Sequence, residues 1–123
     1  MRFPDIDSMV RSFLMGHVAP TKVYVTVPGE RPAEFIVARR NGGAASNRVL
    51  DVPTVTVDVW AGSSVRAAEL AETARGAFLH HYTDMPLVRG VEEVTGPYSV
   101  PDDASESARY RFSMRLRVRA HRN

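Results

Sequence analysis

The histidines are the first candidates for chemistry, because imidazole binds metals and transfers protons near neutral pH. His80 and His81 are adjacent, and His17 and His121 lie far from them in the chain. On a helix, neighbouring side chains point about 100° apart, so His80 and His81 cannot easily share a metal ion. The sequence has no cysteine, which excludes thiolate ligands, thiol nucleophiles and disulfides. We therefore expect no metal centre and no cofactor.

The carboxylates also fail to form a convincing acid–base pair. Asp102 and Asp103 fall in a predicted turn, and Glu92 and Glu93 should point to opposite faces of a strand. Asp58 lies on the polar face of its own strand, where an arginine of the last strand would make a structural ion pair with it.

Serine and glycine motifs give no stronger signal. Ser63 and Ser64 follow Gly62 but do not form the motif of a serine-hydrolase nucleophile, and they are better explained as a helix cap. Gly42 and Gly43 lack the lysine and the strand-to-helix context of a phosphate-binding loop. The sequence thus predicts no catalytic residues and a protein that is not an enzyme.

The most unusual feature is a stripe of arginines near the end of the chain. Apolar and polar residues alternate strictly over residues 107–120, so one face of a long strand should be buried. The polar face carries Arg109, Arg111, Ser113, Arg115, Arg117 and Arg119. Three interpretations remain open: a solvated face balanced by acids, a protein–protein interface, or a phosphate-binding surface. The last lacks exposed aromatic residues that could stack on bases.

Composition predicts one folded domain. The chain has 123 residues, of which 44% are hydrophobic and 24% charged, with a net charge of +2. Lys22 is the only lysine among 16 basic residues. The sequence contains no apolar run of membrane-spanning length and does not begin like a signal peptide, so we expect synthesis inside the cell.

The first half of the chain should contain one helix and three strands. Apolar residues recur at helical spacing over residues 6–14, and Gly16 can end that helix. Strands are predicted over residues 22–27 and 34–40, as an antiparallel pair, and over residues 54–60. The polar, glycine-rich residues 41–47 should form an exposed, mobile loop.

The second half should contain a long helix and two strands. An alanine-rich face predicts a helix over residues 65–82. Strands follow at residues 87–94, with 98–100 as a continuation beyond a bend, and at 107–120. The predicted fold is α/β in the broad sense (α+β). Its order is helix, three strands, helix, two strands, with a mostly antiparallel sheet of about five strands and both helices on one face.

Together these segments resemble a known family. The run Phe35-Ile36-Val37-Ala38-Arg39-Arg40-Asn41-Gly42-Gly43 leads to Asp51-Val52-Pro53 and to Val55-Thr56-Val57-Asp58-Val59-Trp60-Ala61, and then to a helix with Ala67-Ala68-Glu69-Leu70-Ala71. This pattern, with the later Gly96-Pro97 break and closing strand, resembles the tail terminator proteins of long-tailed bacteriophages, especially those that infect actinobacteria. The resemblance covers roughly residues 20–120.

The resemblance implies a structural role and no reaction. Proteins of this family assemble, as homo-oligomers of six subunits, into a ring on the completed tail tube. The ring stops tube polymerisation and presents a surface to the head–tail connector proteins. DNA only passes through its lumen. It implies a place in the virion, at the head-proximal end of the tail, after assembly in the host cytoplasm.

Two groups of residues are candidates for the assembly interfaces. They come from the polar segment after the second strand and from the polar faces of the sheet: Arg39, Arg40, Gly42, Gly43, Ser46, Asn47, Asp58, Arg115 and Arg117. A closed ring needs one patch that meets a different patch on the next subunit. Two alternatives stay open, namely another head–tail joining or head-closure protein, and a small nucleic-acid-binding α/β module.

Overall fold

The computed structural model describes residues 1–122 and contains two long helices and five strands. In chain order the elements are α1 (Ile6–Val18), β1 (Lys22–Tyr24), β2 (Phe35–Asn47), β3 (Leu50–Ala61), α2 (Ser64–His81), a short 3-10 helix (Tyr82–Asp84), β4 (Val88–Ser99) and β5 (Ala108–Arg119). The strands form one mixed sheet in the order β1-β2-β3-β5-β4. The predicted element order and the α+β fold, mostly antiparallel, are confirmed.

Both helices begin at side-chain caps that the sequence supplies. Asp5 accepts a hydrogen bond from the backbone N–H of Ser8 at 3.2 Å, and Ser63 accepts one from Arg66 at the same distance. Helix α1 continues past Gly16 to Val18, two residues beyond the predicted end. Helix α2 lies within one residue of its predicted bounds at each end.

The core lies between the helices and one face of the sheet. Small residues of α2, Ala67, Ala71 and Ala74, are fully buried, so the helix backbone approaches β3 and β5 closely. Phe78 of α2 contacts Phe13 of α1, with ring centroids 5.5 Å apart. The sheet contributes its alternating apolar residues to this core: Ile36, Ala38, Val55, Val57, Val59, Phe112, Met114, Leu116 and Val118.

Two predictions about strand β1 are wrong. It is only three residues long, not six, and it pairs with β2 in parallel, with Lys22 opposite Phe35. Antiparallel neighbours can be joined by a tight turn, whereas parallel neighbours need a longer connection that returns the chain to the starting end. Residues 25–34 instead form a longer loop, in which Pro28 and Pro32 have no N–H to donate to a sheet, and the side chain of Arg31 donates to Asp102. The loop therefore returns the chain to the end of the sheet where β1 began.

Residues 41–47 also differ from the prediction, because they are not a mobile loop. They continue β2 and pair with the start of β3, with Asn47 opposite Leu50. Glycine is needed here, because Gly43 has φ +85° and a Cβ would collide with the carbonyl oxygen of Val52. Residues 41–47 and 50–54 thus form a paired extension, which we call the β2–β3 hairpin.

Strands β4 and β5 agree with the sequence patterns. Strand β4 runs through Gly96 and Pro97 to Ser99, with register shifts on either side of Thr95 that mark the predicted bend. Strand β5 buries Phe112, Met114, Leu116 and Val118 on the helix side. Its arginines therefore lie on the sheet face that the helices do not cover, which we call the outer face.

Candidate assembly surfaces

The outer face is rich in arginine. It carries six guanidinium groups, Arg39 from β2 and five from β5, and two carboxylates, Asp58 and Glu92. Because opposite charges on neighbouring strands neutralise one another only in part, an excess of positive charge remains on this face. An arginine that already forms an ion pair within the subunit is less available to a partner than an unpaired one.

Asp58 and Arg111 form the ion pair that the sequence suggested. They lie directly opposite each other on β3 and β5. Arg111 Nε donates to Asp58 Oδ1 at 2.7 Å and Nη2 to Oδ2 at 3.2 Å. The hydrogen bonds to Asp58 raise the pKa of Arg111 above its usual value. Asp58 is only 8% exposed, so this pair holds the sheet together more than it offers a contact.

Arg115 and Arg117 are more accessible. Arg115 Nη1 donates to Glu92 Oε1 at 2.9 Å, and the two side chains are 43% and 69% exposed, so the pair contributes little stability. Arg117 is exposed and runs along Gly90, where a Cβ would come within 3.2 Å of its Cδ. Both guanidinium groups could therefore reorient toward a partner at little cost.

A shallow polar concavity of about 280 Å³ lies at the middle of the outer face. Arg39 and Asn41 of β2 border it on one side and Tyr98 of β4 on the other. Arg39 makes no ion pair with any residue of the range 1–122. The concavity joins two of the predicted interface residues, Arg39 and Asp58, on one surface.

Arg40 has a different role from its neighbour. Its guanidinium donates to both oxygens of Asp51, at 2.7 and 3.0 Å, and to the carbonyl oxygens of Gly42 and Gly43. Its backbone N–H donates to Asp7 of α1 at 2.7 Å. Asp51 is buried, so the bidentate pair fixes the base of the β2–β3 hairpin. Arg40 therefore stabilises the base of the hairpin through contacts within the subunit.

The β2–β3 hairpin presents the other predicted residues to solvent. Gly42, Gly43, Ser46 and Asn47 are all exposed. Strand β1 pairs with β2 only as far as Val37, so in the described chain the edge of β2 beyond that point has no neighbouring strand. An edge of this kind can accept another strand.

Asp102 is a residue whose importance the sequence did not reveal. Its carboxylate accepts hydrogen bonds from Trp60 Nε1 and Arg31 Nη1, both at 2.8 Å, and from the Ser105 hydroxyl. Burial by itself raises the pKa of Asp102, but the hydrogen bonds from Arg31, Ser105 and Trp60 outweigh it and hold that pKa well below its usual range. The only available signal was that a buried tryptophan needs an acceptor for its indole N–H.

Asp102 binds the edge of a small second hydrophobic core, which lies on the outer face. Phe35 and Trp60 stack with ring centroids 4.5 Å apart, and the guanidinium of Arg31 lies 5.8 Å from each ring. Arg109 covers Trp60 at 5.5 Å. The loops of residues 25–34 and 100–107 are thereby fastened over one end of the sheet, which leaves the hairpin end more open.

The histidines do not assemble a metal site. His17 Nε2 lies 3.0 Å from Asp84 Oδ2, and its ring stacks on His81 with centroids 5.1 Å apart. Within residues 1–122 no group of three histidine or acidic side chains could hold a metal ion. Nor does any helix in that range have the length and apolarity to span a membrane.

The predicted interface residues therefore form two surfaces and not one. The outer face brings together Arg39, Asp58, Arg115 and Arg117, and the β2–β3 hairpin carries Gly42, Gly43, Ser46 and Asn47. Arg40 belongs to neither surface, because its guanidinium is bound to buried Asp51. Asp58 and Arg115 also form ion pairs within the subunit, with Arg111 and Glu92.

Comparison with known proteins supports the fold. No family model matches the sequence, and none of the curated proteins matches it. Among solved structures, the chain aligns with one from a structure described as the virion of a native gene transfer agent (GTA) particle, with a TM-score of 0.58. The alignment covers 94% of this chain and 96% of that chain at 13% sequence identity. At that identity the likeness shows a shared fold.

Proposed function

We propose that this chain is a structural protein of a phage-like virion, which caps the completed tail tube as a ring and joins it to the head–tail connector. The observation that carries the proposal is the near end-to-end fold match, over 94% and 96% of the two chains, with a component of a gene transfer agent virion. The sequence pattern of residues 35–71, which resembles the tail terminator proteins, points to the same role independently.

The β2–β3 hairpin is the proposed contact with the tube. Its exposed residues 42–46 have small side chains, so another backbone can approach closely. The edge of β2 beyond Val37 has no neighbouring strand in the described chain. Apart from the N–H of Arg40, which donates to Asp7, its outward N–H and C=O groups can pair with a strand of the tube protein. The Arg40–Asp51 pair keeps this edge rigid before binding, which lowers the entropic cost of docking.

The proposed role involves no catalysis. The outer-face ion pairs and the Asp102 cluster have structural explanations, and we assign no cofactor to either. The proposed partners are further copies of this chain, the tube protein and the connector, and DNA only passes through the ring.

The test measures the length of the tail tubes that assemble in the presence of this chain. Purified chain is added in increasing amounts to polymerising tail-tube protein, and tube lengths are measured by negative-stain electron microscopy. We expect shorter tubes with a ring of density at one end, and no effect from an equal amount of an unrelated basic protein. Tubes of unchanged length at a large excess of the chain would refute the proposal.

The basic outer face supports a second candidate, a nucleic-acid-binding module. Arg39, Arg117 and Arg119 make no ion pair within residues 1–122 and could contact phosphates. Such binding would weaken steeply with salt, in proportion to the phosphates neutralised. Fluorescence anisotropy with a labelled duplex at several salt concentrations separates the two. Tight, salt-dependent binding together with unaltered tube lengths would favour the second candidate.

A further inference from the structure

One exposed surface of helix α2 combines apolar and acidic groups. Val65 is 70% exposed and, with Ala68, Glu69, Glu72 and Tyr110, borders a concavity of about 730 Å³. We call this surface the α2 patch.

The charge around the α2 patch is negative. Arg66 lies between Glu34 and Glu69, and Arg75 lies between Glu72 and Glu93. Four carboxylates therefore surround two guanidinium groups. Arg66 Nε donates to Glu34 and Arg75 Nε donates to Glu93, each at 2.6 Å, and these hydrogen bonds raise the pKa of both arginines. The excess negative charge is carried by exposed carboxylates that can face a partner.

A second surface, at the tip of the β2–β3 hairpin, has the opposite charge. Met1, Val49 and Ala120 form the apolar floor of a concavity of about 460 Å³, which Arg119 and Arg122 border. We call this surface the hairpin-end patch. Within the described range its lining contains no carboxylate. An apolar centre with arginines at its rim is typical of protein–protein contacts.

The two patches lie toward opposite ends of the sheet. The first is near the pair Ala61 and Ala108, and the second is beside the pair Leu50 and Arg119. They are separated by most of the length of β3, so one copy cannot bring them together. A second copy can, because apolar area matches apolar area and the charges are complementary.

We infer that the α2 patch of one copy docks on the hairpin-end patch of the next. This contact is heterologous, joining two different surfaces, and repeating it generates a ring when the rotation closes. The closed ring rests on the proposed function, but the contact between two copies can be tested without it. The hairpin-end patch shares Arg119 with the outer face, whereas the α2 patch lies on the helix side of the sheet.

The contact can be tested by cross-linking, because the sequence has no cysteine of its own. Val49→Cys and a size-tagged Val65→Cys are mixed in equal amounts and treated with a short bis-maleimide. We expect heterodimers at least five-fold above a control mixture in which Val27→Cys replaces Val49→Cys. Val27 is an exposed residue of the loop 25–34, outside both patches. A yield no greater than that of the control overturns the inference.

Charge reversal gives a second, independent measurement. Glu69→Arg and Arg119→Glu should each reduce the heterodimer yield several-fold in the cross-linking assay, and the yield should recover when each reversed patch faces the other. Glu30→Arg, an exposed acid in the loop 25–34, is the control and should change nothing. Circular dichroism confirms that each variant folds. Failure of the paired reversals to recover the yield contradicts the charge-complementary contact.

Failure of the inference is distinguishable from failure of the proposed function. If the chain shortens tubes but the cross-link stays at the control level, the contact is wrong and the capping function survives. If the cross-link forms but tubes grow normally, the contact is supported and the capping function is wrong.

Discussion

Asp102 should make an unusually large contribution to stability for a residue in a loop. Its side chain is 6% exposed and accepts hydrogen bonds from Trp60, Arg31 and Ser105 at 2.8 Å each. The neighbouring Asp103 is exposed and makes no side-chain hydrogen bond within residues 1–122. Asp102→Ala and Asp103→Ala therefore form a matched pair, one removing a nearly buried, hydrogen-bonded carboxylate and the other an exposed one in the same loop.

The expected magnitude follows from the groups left behind. In Asp102→Ala the buried indole N–H of Trp60 loses its acceptor, which costs about 1–3 kcal/mol. Losing the partly exposed pair with Arg31 adds about 1 kcal/mol or less. We expect a total loss of about 1–4 kcal/mol. With an unfolding entropy near 2.1 cal/mol/K per residue, that lowers Tm by roughly 4–16 °C.

The same residue gives stability a defined pH dependence. Folding lowers the pKa of Asp102 below its value in the unfolded chain, which is about 4. As the pH falls, the unfolded chain is therefore protonated first and is favoured. The stabilisation from Asp102 is complete above about pH 5 and declines as the pH falls through 4 toward the folded pKa. The difference between the wild type and Asp102→Ala should narrow over this range.

Thermal unfolding, followed by circular dichroism and by the fluorescence of the single tryptophan, measures both effects. Asp103→Ala should stay within about 0.5 kcal/mol of the wild type, as expected for an exposed site. Two results would refute the reasoning: Asp102→Ala as stable as Asp103→Ala at pH 7, or a stability difference that is the same at pH 7 and pH 3.

Two further predictions concern the assembly surfaces. Gly43→Ala should distort the β2–β3 hairpin, because Gly43 has φ +85° and a Cβ would collide with Val52. It should cost about 1–3 kcal/mol in thermal unfolding and weaken tube capping, while Gly29→Ala, which meets open space, should change neither. Arg115→Glu with Arg117→Glu should leave circular dichroism intact and, if the outer face bridges subunits, abolish the ring in sedimentation velocity; a surviving ring would assign that face to solvent or to the lumen.

Periodicity was sufficient to predict most of the elements. The alternating pattern of β5 and the alanine-rich face of α2 both extend over many residues. The sequence therefore predicted the type of each element, and its ends to within a residue or two. The pairing of Asp58 with an arginine of β5 was also predictable, because polar residues on one face of neighbouring strands meet.

Local composition gave the wrong prediction at two places where strand pairing decided the structure. Residues 41–47 are polar and glycine-rich, as in a loop, yet β3 supplies the backbone groups that make them a strand. The direction of β1 depended on the loop 25–34, which Arg31 fastens to Asp102, 71 residues away. Residue type alone does not show which backbone groups will pair, whether the partner is near in sequence, as for residues 41–47, or distant, as for the Arg31–Asp102 contact.

The sequence by itself determined that the chain folds as an α+β domain with an arginine-bearing sheet face, because burial imposes its period on every strand and helix. Only the tertiary structure decided which charges are free. Arg40 and Arg111 are both bound to buried acids, whereas Arg39 and Arg119 are not, although all four look alike in the sequence. The availability of a charge depends on which strands become neighbours, and folding alone fixes that.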